Sequence, residues 1–320
     1  MRKAQFPQLR RAVAAGCAIL LAWTSLDAQV FSAGERVADL LQSNPYCEVT
    51  ATVSDSAVEI ISVRSLPTAP EGFLALVIPA RCLLDGEELA VGLAAGPKED
   101  GTIRLAEGEA TWIVSVDSGV RLPSDCSRLL AGSTRLVTLD LHAANTAAVT
   151  SLAEMLDGCS ALEDANMAIA TDSLTDASGL FRGCSTLNNV DLSAWNPAQL
   201  EDMSEMFAGC EELKAVVFPA APTSSLRRTA GMFRGCTAIE ELDLRSLDTR
   251  QATDLQQMFA GCRTLQHLIL GPHFCVSPSA RHQGMLQGCT SIPWSKIEYV
   301  GDEPPTLPSD WPKATPLPGE

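Results

Sequence analysis

Six cysteines recur at an almost constant interval. Cys159, Cys184, Cys210, Cys236, Cys262 and Cys289 are separated by 25, 26, 26, 26 and 27 residues. Thiols in such a series could hold zinc, carry redox chemistry or form disulfides. Zinc sites draw on close ligand pairs of the C-x₂₋₄-C kind, and the sequence has none. One thiol per repeat at a fixed place is what a buried ladder needs, because cysteine packs as a small hydrophobe. The six are therefore expected to be buried and mostly free. Cys47, Cys82, Cys126 and Cys275 stand outside the series and are the better disulfide candidates, with their pairing left open.

The remaining chemistry-bearing residues are sparse. His142 and His267 fall five repeats apart and cannot share a metal, and His273, Cys275 and His282 lack the ligand spacing of a standard site. Asp140, Asp191 and Asp243 recur every second repeat, roughly 10 Å apart by strand spacing, a poor geometry for a retaining carboxylate pair. No G-x-S-x-G, H-E-x-x-H, P-loop or G-x-G-x-x-G is present. The expectation is a non-catalytic chain with neither metal nor cofactor.

The text around each cysteine is itself repeated. Met155-Leu-Asp-Gly-Cys159-Ser-Ala-Leu162 is followed by Leu180-Phe-Arg-Gly-Cys184, Met206-Phe-Ala-Gly-Cys210, Met232-Phe-Arg-Gly-Cys236, Met258-Phe-Ala-Gly-Cys262 and Met285-Leu-Gln-Gly-Cys289. A seventh copy, Leu129-Leu-Ala-Gly-Ser133, precedes them with serine in the cysteine place. A period of 25–27 residues lies in the leucine-rich-repeat range. In each copy the first half reads as a helix: Val149, Leu152, Met155, Leu156 and Cys159 form one apolar stripe, and the glycine suits a helix C-terminus. The second half reads as a strand, with Leu139 and Leu141 bracketing Asp140, Val190 and Leu192 bracketing Asp191, and Leu242 and Leu244 bracketing Asp243. Asn166, Val217, Ile269 and Lys296 replace the aspartate in alternate copies. The fold class expected is an α/β leucine-rich-repeat solenoid of about seven coils, preceded by a small β-rich domain.

Met-Phe-x-Gly-Cys-x-x-Leu, followed by strand text such as Val190-Asp-Leu-Ser-Ala-Trp195 and by Leu247-Asp-Thr249, resembles the BspA-like leucine-rich-repeat surface proteins, including the related repeats of mycoplasma surface lipoproteins. Glu201-Asp-Met203-Ser-Glu-Met-Phe207 and Thr253-Asp-Leu255 match the run into the helix-like half. The resemblance covers about residues 126–298. It implies an exported cell-surface protein, with adhesion to host or neighbouring-cell proteins, and no catalytic residues.

The flanks complete the plan. Arg2, Lys3, Arg10 and Arg11 precede the apolar run from Ala12 to Trp23, so residues 1–28 read as a signal peptide cut after Ala28. Ala14-Ala15-Gly16-Cys17 has a lipobox outline, but the apolar run continues past it. Residues 29–44 read as a leader, 45–118 as an antiparallel β-rich domain with sandwich character, 119–300 as the solenoid and 301–320 as a proline-rich, extended and mobile tail, with Pro293-Trp294 and Tyr299 contributing to a C-terminal cap. Without residues 1–28 the chain carries 19 basic against 38 acidic residues, a net charge of −19, which disfavours nucleic acid and anionic lipid.

The function this supports is protein recognition at the cell surface or in the secreted state. Membrane contact is confined to the signal peptide or an anchor. The concave strand face would present Asp140, Asp164, Asn166, Asn189, Asp191, Glu241, Asp243 and His267, an acidic patch with no interleaved lysine. Two other readings stay open. One is an accessory protein of a secreted enzyme, with a catalytic or carbohydrate-binding N-terminal domain; the other is a structural envelope component.

Overall fold

The computed structural model describes residues 18–21, 47–53, 57–65, 73–78, 81–84, 87–93, 104–107, 111–116, 118–291, 297–309, 311 and 314–317. The expected cleavage site after Ala28 and the leader at 29–44 lie outside them. The described residues form a parallel β-solenoid of about seven turns. Isolated parallel bridges link Asp125, Ser151, Asp176, Asp202, Arg228, Asp254 and Arg281 in succession, one per coil.

The helix-like half of each coil is not a helix, which corrects the α/β expectation: no helix occurs among the described residues. The reason lies in the backbone donors. Met155, Asp157 and Cys159 donate to the carbonyls three residues back, but Leu152, Glu154, Leu156 and Gly158 donate to Asp176, Ser178, Leu180 and Arg182 of the next coil. Two left-handed residues per coil, Glu154 (φ 54°) and Gly158 (φ 71°) in this one, turn every second N–H outward. A right-handed helix cannot contain them. The apolar stripe at roughly helical spacing is real, since Leu152, Met155, Leu156 and Cys159 are all fully buried. It belongs to stacked turns hydrogen-bonded between coils, and periodicity alone cannot tell the two apart.

These turns carry two internal ladders. Phe181, Phe207, Phe233 and Phe259 stack with centroids 5.6, 5.4 and 6.0 Å apart and planes within 13°. Each repeat thiol points at the coil before it. Cys184 Sγ donates to Leu156 O at 3.2 Å, and Cys210, Cys236 and Cys262 donate to Phe181, Phe207 and Phe233 O at 3.1 Å. All six repeat cysteines are free, five of them buried and Cys289 partly so. Burial pushes the Cys159 and Cys210 thiols up to about 12. Cys126 and Cys275, expected as disulfide candidates, are free as well; Cys126 is buried and donates to Pro123 O. The side chains of Cys47 and Cys82 lie outside the described residues.

A second period of two coils runs through the turns. The first left-handed position is occupied in order by Arg128, Glu154, Gly179, Glu205, Gly231, Gln257 and Gly284. Where it is glycine, the residue three further on is Arg182, Arg234 or Gln287; in the coils of Glu154, Glu205 and Gln257 it is Asp157, Ala208 or Ala260. A Cβ on Gly179 would lie 3.2 Å from Glu154 Cγ and 3.7 Å from Arg182 Nη1. The glycine coil is thus the recess over which its neighbour's acid and its own arginine fold.

The strands follow this pairing only in the middle of the stack. Sixteen strands are described: β1 (Ala18–Leu21), β2 (Cys47–Val53), β3 (Ala57–Ser65), β4 (Phe73–Ile78), β5 (Arg81–Leu84), β6 (Glu87–Leu93), β7 (Arg104–Glu107), β8 (Thr111–Val116), β9 (Leu136–Asp140), β10 (Asp164–Asn166), β11 (Asn189–Asp191), β12 (Ala215–Val217), β13 (Glu241–Leu244), β14 (His267–Leu270), β15 (Ile297–Tyr299) and β16 (Thr315–Pro316). β9–β10, β11–β12 and β13–β14–β15–β16 pair in parallel, and the ladder lapses between β10 and β11 and between β12 and β13. At the first break the Trp195 indole donates to Met167 O at 2.8 Å. Inward residues Leu139, Val190, Leu242 and Leu268 close the core against the turns.

Both ends differ from expectation. β2–β3 and β5–β6 are antiparallel, but β3–β6, β3–β7 and β4–β8 are parallel. β8 pairs in parallel with β9, placing Ile113 beside Thr138. That offset of 25 residues is one coil, so the strand Thr111–Val116 continues the solenoid sheet and is not part of a separate antiparallel sandwich. At the C-terminal end the tail folds back. β16 pairs with β15, Val276 N donates to Thr306 O, and Leu307, Trp311 and Ala314 pack on the core. Trp311 closes the phenylalanine stack, 6.3 Å from Phe259. Tyr299 packs there too, as expected; Pro293 and Trp294 lie outside the described residues.

Candidate binding face

Alternation along each strand sends every second side chain outward. The outward residues make two rows. One runs Thr138, Asp164, Asn189, Ala215, Glu241, His267; the other runs Asp140, Asn166, Asp191, Val217, Asp243, Ile269, Glu298. All eight residues expected on the strand face therefore stand in these rows.

They are not equally open. Asn189, Asp191 and Glu241 are exposed, and Asp164, Asn166, Asp243 and His267 are half-buried. Asp140 is buried, 8% exposed, and accepts from the backbone N–H of His142 at 3.1 Å while lying 2.7 Å from its Nδ1. The open part of the face is its middle, where Ala215 and Val217 stand between acidic coils. Val217, 51% exposed, is the single large exposed hydrophobic residue among those described.

The patch is also less negative than its sequence implied. Asp243 is gripped by Arg245, at 2.8 Å to Nη2. His267 sits between two carboxylates, with Nδ1 3.0 Å from Glu241 and Nε2 2.7 Å from Glu298. Burial works against a charged ring there, but the bonds to Glu241 and Glu298 outweigh it and raise the pKa of His267. Asp191 accepts only the Ser193 N–H, at 2.9 Å, and has no ion pair among the described residues. At Asp164, burial and then the charge of Asp140 push the carboxyl upward.

Glu298 was missed because the last repeat interval is longer, and Lys296 seemed to hold its place; the register sets Ile269 beside Glu298. Arg245 follows Asp243 by two residues, a spacing that could have flagged the pair. Among the described residues, no three His, Cys, Asp or Glu side chains come together as a candidate metal centre.

Comparison with known proteins gives a family and a set of distant structures. The model of a family described as "Mycoplasma protein of unknown function, DUF285" matches residues 124–221 and 219–297, more than half of the chain. A search of curated proteins found no match. Similar solved structures include a leucine-rich repeat protein from Bacteroides ovatus, at 14% identity and TM-score 0.23 over 80% of this chain and 93% of that one. A leucine rich cell surface protein from Faecalibacterium prausnitzii follows, at 13% identity and TM-score 0.23 over 79% and 93%. Pneumococcal vaccine antigen PcpA is a third, at 12% identity and TM-score 0.24 over 80% and 86%.

Proposed function

Because the chain belongs to the DUF285 family, whose repeats its Met-Phe-x-Gly-Cys text resembles, we propose that it is an exported repeat scaffold that displays its strand face to a protein partner. The partner is a host or neighbouring-cell surface protein, and the role is adhesion or surface interaction. The observation that carries this reading is the open middle of the strand face. There Asn189, Asp191, Ala215, Val217 and Glu241 are all exposed on consecutive coils, whereas the rest of both rows is half-buried or buried. Two exposed apolar side chains, Ala215 and Val217, rimmed by polar and acidic ones have the anatomy of a small recognition surface. Stacked strands present it along the solenoid without reorganisation. The basic-then-apolar N-terminus supports export, and the surplus of acid disfavours nucleic acid as the partner.

The test is cross-linking of the full chain to intact cells, followed by binding to whatever protein is captured. Asp191→Lys removes an unpaired acid from the face, and Val217→Asn removes its apolar centre. Glu211→Lys makes the same change of net charge at an exposed site outside both rows. Binding should fall by about tenfold or more for the two face variants, as for residues at an interface centre, and hold for Glu211→Lys. Equal losses from both lysine variants would reduce the effect to overall charge and remove the face as the site.

A further inference from the structure

We propose that Thr138, Asp140, Asp164 and Asn166 form a binding site for a hard divalent cation of calcium's size at the N-terminal end of the strand face. The inference is independent of the protein-binding reading. The register sets Thr138 directly opposite Asp164 and Asp140 opposite Asn166. Thr138 and Asp140 are two apart in one strand and so share a face, as do Asp164 and Asn166. Opposite side chains on paired strands lie roughly 5 Å apart at Cβ. Four oxygen-bearing side chains therefore meet across two adjacent strands, next to the register shift between Trp112 and Ile113 in the β8–β9 pairing.

The state of each group points to a ligand. Thr138 is 2% exposed, and its hydroxyl has no hydrogen-bond partner among the described residues. Buried hydroxyls are ordinarily satisfied, and an orphan asks for an explanation. Asp164 is half-buried with neither hydrogen bond nor ion pair among the described residues, and it feels the like charge of Asp140. Asp140 spends Oδ1 on His142 and keeps its second oxygen. Asn166 Oδ1 accepts the Ala168 N–H at a long 3.3 Å. Two carboxylates on one diagonal of this square, with an orphan hydroxyl opposite one of them, form an arrangement that a cation relieves.

The ligand chemistry selects the ion. Two carboxylates balance a double charge, and the other donors are neutral oxygens. Calcium accepts six to eight such ligands in loose geometry, with water filling the remainder, whereas magnesium demands a tighter octahedron. The neighbouring His142 gives its Nδ1 to Asp140, so that nitrogen is not offered to a metal and the donors of the group itself are oxygens. With only two carboxylates, affinity falls in the weak class typical of extracellular calcium modules, about 10⁻⁴–10⁻³ M.

The experiment is calorimetric titration of the full chain with Ca²⁺ and separately with Mg²⁺, alongside a thermal melt in each. One Ca²⁺ should bind with Kd of about 10⁻⁴–10⁻³ M, more tightly than Mg²⁺, and raise Tm. Asp164→Asn and Thr138→Val should each weaken Ca²⁺ by about tenfold or more, the lower bound of what a lost ligand or its support costs. Asp191→Asn, at an acid outside the group, should leave the affinity unchanged. Thr138→Val guards against a folding artefact: without a cation role it removes an orphan hydroxyl, so it would raise Tm and keep the calcium response. No Ca²⁺ binding in the millimolar range overturns the proposal. So does unchanged affinity in Thr138→Val, or equal loss in Asp191→Asn, which would reduce the effect to charge screening.

Discussion

Arg182 grips Asp157 of the preceding coil through two bonds of 2.8 Å each, from Nε and Nη2, while its Nη1 reaches Glu205 of the following coil at 3.1 Å. Glu205 passes the connection on to Arg234 at 2.6 Å. One guanidinium thus ties three coils on the turn side, where the backbone ladder already runs. Bidentate geometry within a network is the circumstance in which a surface ion pair becomes measurable. Arg182→Met should lower stability by about 1 kcal/mol. A double-mutant cycle with Asp157→Asn should show coupling that shrinks in 1 M salt; additive losses would mean the fork contributes nothing.

Phe233 lies between Phe207 and Phe259 in the stack and is fully buried, with Phe218 meeting its edge at 6.3 Å. Phe233→Ala should cost about 3–5 kcal/mol in chemical denaturation, because it removes apolar contacts and leaves a cavity between two rings that cannot close up. Phe233→Leu should cost clearly less. Near-equal costs would mean that ring stacking, not volume, stabilises the site.

The two-coil alternation makes a prediction of sign. Gly179 holds φ 59° under the Glu154 side chain, so Gly179→Ala combines an unfavourable backbone with a 3.2 Å contact and should destabilise by roughly 1–2 kcal/mol. Gln257 holds φ 54° at the equivalent place with a side chain. Gln257→Gly relieves that strain and should be neutral within about 1 kcal/mol, since the relief is offset by the entropy of glycine. Thermal melts of the two variants decide it, and similar losses would refute the alternation.

His267 should titrate above its ordinary value of about 6.5, and Glu298→Gln should bring it down. A raised folded-state pKa stabilises fully below the unfolded value and is lost as pH rises through the folded one. Unfolding of the C-terminal coils, followed through Trp311 fluorescence, should therefore become easier as the pH climbs through the His267 titration measured by NMR. A stability flat across that window would show that the Glu241–His267–Glu298 bridge is energetically silent.

Among the cysteines whose side chains are described, thiol alkylation in the folded state should reach Cys275 and Cys289 first, both of them partly exposed. Cys159, Cys184, Cys210, Cys236 and Cys262 should react only on unfolding, because burial holds the first four as thiols and, at Cys262, a hydrogen bond with Cys289 does so together with burial. Mass-spectrometric mapping of a native pulse reads this directly, and early labelling of Cys210 or Cys236 would count against the ladder.

Much of this architecture was legible from the repeat. The Gly-Cys text fixed the number of coils, and Leu139, Val190 and Leu242 named the inward strand positions. The turn segments were misread because an apolar stripe at a spacing of three and four residues serves a helix and a stack of turns alike. What separates them is the destination of alternate N–H groups, and Glu154 and Gln257 hide the left-handed positions that the glycines of neighbouring coils would have revealed. On the strand face the residue types were readable and their exposure was not. Asp140 and Ile269 are buried, Arg245 neutralises Asp243, and Glu298 brings a second carboxylate to His267.

Gly179 and Gly231 stand 52 residues apart, with Glu205 between them. An arginine-bearing coil needs an acid-bearing neighbour to fill its recess, and the two lapses of the strand ladder, between β10 and β11 and between β12 and β13, stand two coils apart. Growth or loss by a single coil would set recess against recess or carboxylate against carboxylate. Inserting a pair restores every contact and lengthens the stack by roughly 10 Å. Length in this molecule therefore obeys a parity rule: chains of the same design should differ by even numbers of coils, and their outward faces should keep the same phase from one end to the other.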